Sequence, residues 1–197
     1  MKPRIDDAAL RQLFFDARTY NKFEPREVPE AVLRELIDIV ELGPTSANCS
    51  PARVLFLKSG AGKERLKPHL SEGNRAKTMA APVTAIIGYD LEFYHHLPRL
   101  FPHNQEAKSW FEGKPKLIEA TAFRNGTLQG GYFILAARAL GLDTGPMSGF
   151  DNDGVDREFF PDGTVKSNFL CNLGYGDPTG LFARSPRFSF EEIAKVL

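Results

Sequence analysis

The chain has 197 residues, in which 25 Lys plus Arg balance 25 Asp plus Glu. That length suits one domain with a real core, and a net charge of zero without a long basic block removes the electrostatic footprint of a nucleic-acid binder. Two cysteines far apart in sequence, Cys49 and Cys171, and an opening without an apolar signal core point to a cytoplasmic protein with reduced thiols.

In chain order, Asp6 or Asp7 caps a first helix with Leu10, Leu13, Phe14 and Ala17 on one stripe. It runs into Ala17-Arg18-Thr19-Tyr20-Asn21-Lys22-Phe23, which local sequence alone reads as a solvated helix end. Pro25 and Pro29 space a second helix whose core face is Leu33, Leu36, Ile37 and Val40, and Gly43-Pro44 ends it. Pro44 to Pro51 is full of hydroxyl and amide groups, either a turn satisfying its own backbone or a polar wall for a ligand. It leads into a strand at Val54 to Leu57. Gly62 to Leu70 predicts a short helix, Ser71-Glu72-Gly73-Asn74 a break before another turn of helix, and Pro82 to Tyr89 a buried strand. Asp90 to Pro115, rich in aromatics and prolines, reads as an excursion able to cover a pocket.

The stretch from Leu117 to Leu142 carries only three charges, Glu119, Arg124 and Arg138, among apolar and small residues. That is the composition of a helix enclosed by protein, and its charged and amide side chains exclude a membrane span. Gly126, Gly130 and Gly131 cost helix propensity and therefore need a packing reason. Gly141 reads as a left-handed cap with Leu142 folding back, and Asp143 to Phe150 as a rigid, Gly-flanked turn with accessible amides. Val155 to Phe160 predicts a short helix and Asn168 to Leu173 a strand. Ser189 caps a last helix. Few strands among several helices give an α+β layer structure in one domain over residues 1–197.

Most chemical motifs fail. Gly174-x-Gly176-x-x-x-Gly180 misses the dinucleotide spacing, and Gly60-Ala61-Gly62-Lys63-Glu64 lacks the first Gly and the hydroxyl of a Walker loop. His95, His96 and His103 match no helical metal motif, so no metal is expected. Ser148 stands one place late for a nucleophile elbow and has no assignable His or acid; a serine hydrolase is the weakest reading. What remains is a set of guanidiniums, Arg18, Arg184 and Arg187, suited to one phosphate, with Asn48, Asn74 and the amides near Ser148 suited to a flat heterocycle. Such a site leaves the chemistry to a cofactor, with no catalytic side chain of its own.

Those pieces, in order, resemble the flavin-dependent nitroreductase family: Ala17-Arg18-Thr19, Pro44-Thr45-Ser46-Ala47-Asn48, Gly73-Asn74, Gly145-Pro146-Met147-Ser148-Gly149 and Arg184-Ser185-Pro186-Arg187. The wording around Asn48 and Met147 is similar to the subgroup of malonic semialdehyde reductases of uracil degradation. The resemblance implies an α+β homodimer with a mixed or antiparallel central sheet, a long buried core helix, and FMN at the subunit interface. By it Arg18, Arg184, Arg187 and Thr19 hold the phosphate. Ser46 and Asn48 lie along the partner's flavin or near its ribityl chain, Asn74 near the pyrimidine edge, and Pro146, Met147, Ser148 and Gly149 over one flavin face with an amide towards N5. It also implies ping-pong transfer of hydride from NADPH or NADH through N5 to malonic semialdehyde, with nitro, quinone or enone acceptors and a non-catalytic flavin carrier as alternatives. Three departures stand out: Ala17 and Asn21 replace frequent basic residues, and Ser50-Pro51-Ala52 removes a Trp that lines the wall in other members. A substrate carboxylate would want a cation, for which Arg53 and Arg99 are candidates, although the plainer reading of both is as surface residues.

Overall fold

The computed structural model describes residues 3–197. Its centre is a four-stranded sheet of β1 (Ala52–Leu57), β2 (Val83–Asp90), β3 (Asp143–Met147) and β4 (Val165–Gly174) in the order β1-β2-β4-β3. All three pairings are antiparallel. Alternation along β2 sorts its side chains to two faces. Val83, Ala85 and Ile87 pack with Leu33, Leu36 and Phe133, while Ile86 joins Leu66, Leu170, Val155 and Met147 on the other side. A register shift between Ile87 and Gly88 interrupts the β2–β4 ladder.

Helices cover both faces. The first, α1 (Asp7–Leu10), is capped by Asp6 accepting from the Ala9 amide and widens into a looser turn over Arg11–Phe15. The second, α2 (Glu30–Val40), buries Leu33, Leu36 and Val40 as its spacing requires. The two short helices α3 (Gly60–Leu66) and α4 (Glu72–Ala80) follow β1, and α5 (Leu97–Leu100) lies in the excursion after β2. That excursion has a small core of its own, built on Phe93, Leu97, Ala107 and Phe111. The long helix α6 is Pro115–Ala139; α7 (Asn152–Phe159) precedes β4 and α8 (Phe190–Ile193) ends the chain with the Ser189–Glu192 capping box. No helix among the described residues is long and apolar enough to cross a membrane.

Three expectations need correction. Ser71-Glu72-Gly73-Asn74 is not a break but the cap and first turn of α4. The stretch Asp143 to Phe150 is not a rigid turn throughout: Asp143–Met147 is the edge strand β3, where Pro146 is tolerated because an edge residue can do without a donor. And within the single chain α6 is enclosed on one side only. Gly126 and Gly130 face the Tyr89 and Phe169 side chains, which a Cβ would meet at 2.8 and 2.5 Å, whereas Gly131 faces open space. Leu117, Phe123 and Leu128 on the outward side are exposed.

The end of α6 follows its sequence closely. Gly141 adopts φ +76°, its amide donates to the Arg138 carbonyl at 3.0 Å, and the Leu142 amide returns to the Ala137 carbonyl at 2.9 Å. This pair of bonds is the Schellman motif, and it aims the chain into β3. Nothing lies within 4 Å of a Cβ at Gly141. Gly141→Ala therefore carries only the left-handed backbone penalty and is expected to lower unfolding stability by about 1–2 kcal/mol, read as a shift in the urea midpoint at unchanged slope.

Candidate functional site

Arg18, Thr19 and Asn21 are positioned by backbone pairing. Thr19 forms a parallel bridge with Thr144, and the Tyr20 amide donates to the Thr144 carbonyl at 2.9 Å. The approach needs Gly at 145, because a Cβ there would stand 2.4 Å from the Tyr20 carbonyl oxygen. The tail returns to the same place. Phe23 bridges Gly176, Lys22 pairs with Asp177 at 2.7 Å, and Arg18 donates to the Phe182 carbonyl. Arg184 Nη2 donates to the carbonyls of Phe15 at 2.7 Å and Ala17 at 3.1 Å.

The result is a cavity of about 350 Å³ lined by Arg18, Thr19, Asn21, Arg138, Arg184 and Arg187 among others, with no Asp or Glu in the lining. None of the four guanidiniums has an ion-pair partner among the described residues. Each has donors to spare beyond its carbonyl contacts, so the cavity suits an anion with several acceptor oxygens. Arg138 was not anticipated from sequence. Its Nη1 donates to the Leu13 carbonyl at 2.8 Å, burial lowers its pKa, and its Nε is buried without a partner among the described residues. The signal was available: Arg138 is the last charge of an apolar helix, three residues before the Gly141 cap.

A second group adjoins the first. Asn74 Nδ2 donates to the Gly149 carbonyl at 2.9 Å, and the Ser71 amide donates to the same oxygen at 3.1 Å. The start of α4 thus pins the turn that follows β3. Deeper in, the buried Thr78 hydroxyl donates to Met147 Sδ at 3.4 Å. The amides of Ser148 and Gly149 donate to no acceptor among the described residues. Lys77 joins the two groups, its Nζ donating to Asn21 Oδ1 at 3.1 Å, and burial lowers its pKa. Lys77 also escaped the sequence reading, although three residues after Asn74 on a helix it shares that face. Arg18, Thr19, Asn21, Lys77, Asn74 and the residues Pro146 to Gly149 therefore form one connected wall, cationic at one end and amide-rich at the other.

Ser46 and Asn48 stand at the opposite edge of the sheet, beside β1. Two buried amides of α6 hold their loop: Asn125 Oδ1 accepts from the Ser46 amide and Gln129 Oε1 from the Ala52 amide, each at 2.9 Å. Asn48 Nδ2 donates to the Leu100 carbonyl at 2.8 Å. Within one chain these two residues do not meet the Arg18 group. A hollow of about 900 Å³ between α2 and the free edge of β1 carries interspersed opposite charges, Glu30, Arg34, Asp38 and Lys58, and lacks a convergent polar set.

Nucleophilic readings find little support. Ser148 is exposed, and no His or carboxylate bonds its hydroxyl among the described residues. No group of His, Cys, Asp and Glu there could hold a metal. Burial pushes the Cys49 thiol up to about 11 and the Cys171 thiol up to about 12. Since the thiolate is the reactive form, neither is expected to react with Ellman's reagent at pH 8 in the folded protein, and both should react promptly in urea. Rapid labelling of the native chain would contradict this assignment.

With this geometry in hand, the comparisons with known proteins agree with one another. The model of the nitroreductase family matches residues 16–175. A protein of Burkholderia lata, provisionally named NADH dehydrogenase/NAD(P)H nitroreductase, is 62% identical over 192 residues, covering 98% of each chain. Among solved structures, a Bacillus subtilis protein provisionally named a nitroreductase superposes with a TM-score of 0.88 at 20% identity, covering 98% of this chain and 100% of its own. An Exiguobacterium sibiricum protein, likewise provisionally named a nitroreductase and solved in complex with FMN, gives 0.84 at 17% identity, covering 100% and 99%. At those identities the two structures speak for the fold, and the family model and the close relative speak for descent. The chain belongs to the nitroreductase family.

Proposed function

We propose that the protein is an FMN-dependent NAD(P)H oxidoreductase acting as a homodimer, and that it reduces malonic semialdehyde to 3-hydroxypropionate. The observation that carries the cofactor is the acid-free set of four guanidiniums joined through Asn21 and Lys77 to an amide-rich turn. FMN has the matching polarity, a phosphate on a flexible arm at one end and a flat heterocycle at the other. Arg18, Arg184, Arg187 and Thr19 would hold the phosphate. Asn74, Asn21 and Lys77 would meet the pyrimidine edge, and the free amides of Ser148 and Gly149 would face N5. The cation that Asn21 lacks is supplied beside it by Lys77.

When bound, the flavin supplies hydride transfer from reduced nicotinamide to the acceptor, so no side chain need act as nucleophile. The net reaction takes one aldehyde, one NAD(P)H and one proton to the alcohol and NAD(P)⁺. The name of the Burkholderia relative supports the nicotinamide donor, and the FMN of the Exiguobacterium structure supports the flavin. Two exposed apolar surfaces support a second copy: Leu117, Phe123 and Leu128 on α6, and the tail with Phe182, Phe188, Phe190 and Ile193. Across such an interface Ser46 and Asn48 would reach the partner's flavin. That placement accounts for a loop so firmly held yet so far from its own chain's cradle.

Among the described residues Arg187 bonds only its neighbours' carbonyls, those of Ser185 and Pro186. Arg187→Ala is therefore expected to leave the fold intact and weaken FMN binding by about 1.5–3 kcal/mol, roughly 10- to 150-fold, through the lost charge-assisted bond. Riboflavin, without the phosphate, should be affected less than about threefold. Fluorescence titration of the apoprotein reads both. The activity is tested by anaerobic stopped-flow: NADPH should bleach the flavin, and malonic semialdehyde should restore its colour. Bleaching without recovery would move the acceptor to nitro, quinone or enone compounds; flavin that binds but is never bleached would indicate a carrier.

A further inference from the structure

A second cavity, of about 730 Å³, opens between the Pro44–Pro51 loop, β1 and α5; Asn48, Ser50, Arg53, His96, Arg99 and Gln129 are among its lining residues. Its wall is strained and firmly held. Ala47, Asn48 and Ser50 adopt φ of 49°, 50° and 37°, a left-handed region that disfavours residues with a Cβ, Asn least, and persists where surrounding contacts over-determine it. Those contacts are the buried Asn125 and Gln129 together with the Asn48–Leu100 bond.

The charges in this wall are unequal in availability. Arg53 is committed, since its guanidinium pairs with the buried carboxylate of Asp90 and donates to the carbonyls of Ser50 and Ala52 at 3.2 and 2.8 Å. His96 lies 3.9 Å from that same carboxylate. Arg99, three residues further and so on the same face of the turn, is exposed and has no hydrogen bond or ion pair among the described residues. The one carboxylate in the lining, Glu41, forms no ion pair with either arginine. A free guanidinium beside an imidazole and the Asn48 amide, in a concavity of ligand size, is a donor set for a carboxylate.

We propose that Arg99, with His96 and Asn48 beside it, binds the carboxylate of the electron acceptor and orients its reducible carbon towards the partner subunit's flavin. Arg53 is the positioning residue: its bond to Asp90 holds the end of β1 against β2 and leaves Arg99 as the uncommitted cation. The proposal rests on the reading that Asn48 faces the partner's flavin, and it names the substrate class of that site as short oxo-acids and other carboxylate-bearing acceptors.

The test uses the FMN-loaded protein and two probe pairs. Calorimetric titration of the oxidised protein should show benzoate binding at least tenfold tighter than benzamide, and Arg99→Gln should abolish that preference while Arg99→Lys retains part of it. With NADPH, the ratio of kcat/KM for 4-nitrobenzoate over its methyl ester should fall at least tenfold in Arg99→Gln, through KM rather than kcat. Equal binding of benzoate and benzamide to the unmodified protein, or an unchanged ratio in Arg99→Gln, would overturn the subsite while leaving the flavin reductase intact. Failure of the reductase itself would show as flavin that NADPH cannot bleach. The benzoate titration needs no turnover and decides the subsite in either case.

Discussion

The candidate site depends on one close backbone approach, that of residues 19 and 20 to Thr144 along the edge of the sheet. It is allowed because residue 145 has no Cβ, and it places Arg18 and Asn21 on either side of a single bridge. The tail then folds against the same segment, with Arg18 reaching the Phe182 carbonyl and Arg184 reaching those of Phe15 and Ala17. Parts of the chain more than 160 residues apart thereby share one small cavity. The guanidiniums hold the fold together with a fraction of their donors and keep the rest available.

Charge is distributed to match. The cavity lining holds four arginines and no acid, an arrangement that costs self-repulsion in the absence of an anion and is relieved by one. At the other end of the same wall the groups are mostly neutral donors and acceptors, Asn74, Asn21 and free amides, with Lys77 as the junction. Cation at one end and amides at the other suit a ligand with a phosphate and a heterocycle. The β1 edge is organised on a different principle. There Asp90 neutralises Arg53, while Arg99, unpaired among the described residues, stands exposed beside a firmly held polar loop.

Local sequence determined what local physics controls. The Gly141 cap and the return of Leu142 follow from one glycine after an apolar helix, and appear with the expected pair of bonds. The capping box at Ser189 and the core face of α2 follow from spacing alone. The candidate arginines were legible as residue types and, through the family resemblance, as a set. Gly126 and Gly130 needed a packing reason, and Tyr89 and Phe169 supply it.

Tertiary structure decided what depends on partners distant in sequence. Asp143–Met147 is rich in the residues of a turn, and it is a strand because β4 offers it a ladder that no local window contains. Arg138 and Lys77 join the candidate site only when the Arg18–Asn21 segment docks beside them. The apolar composition of α6 was legible, but composition specifies burial without specifying what does the burying. One face meets the sheet of its own chain, and the other lies exposed. Whether Arg99 or Arg53 was the available cation also lay beyond the sequence, because the answer is set by Asp90, which antiparallel pairing of β1 with β2 brings to Arg53 from 37 residues away.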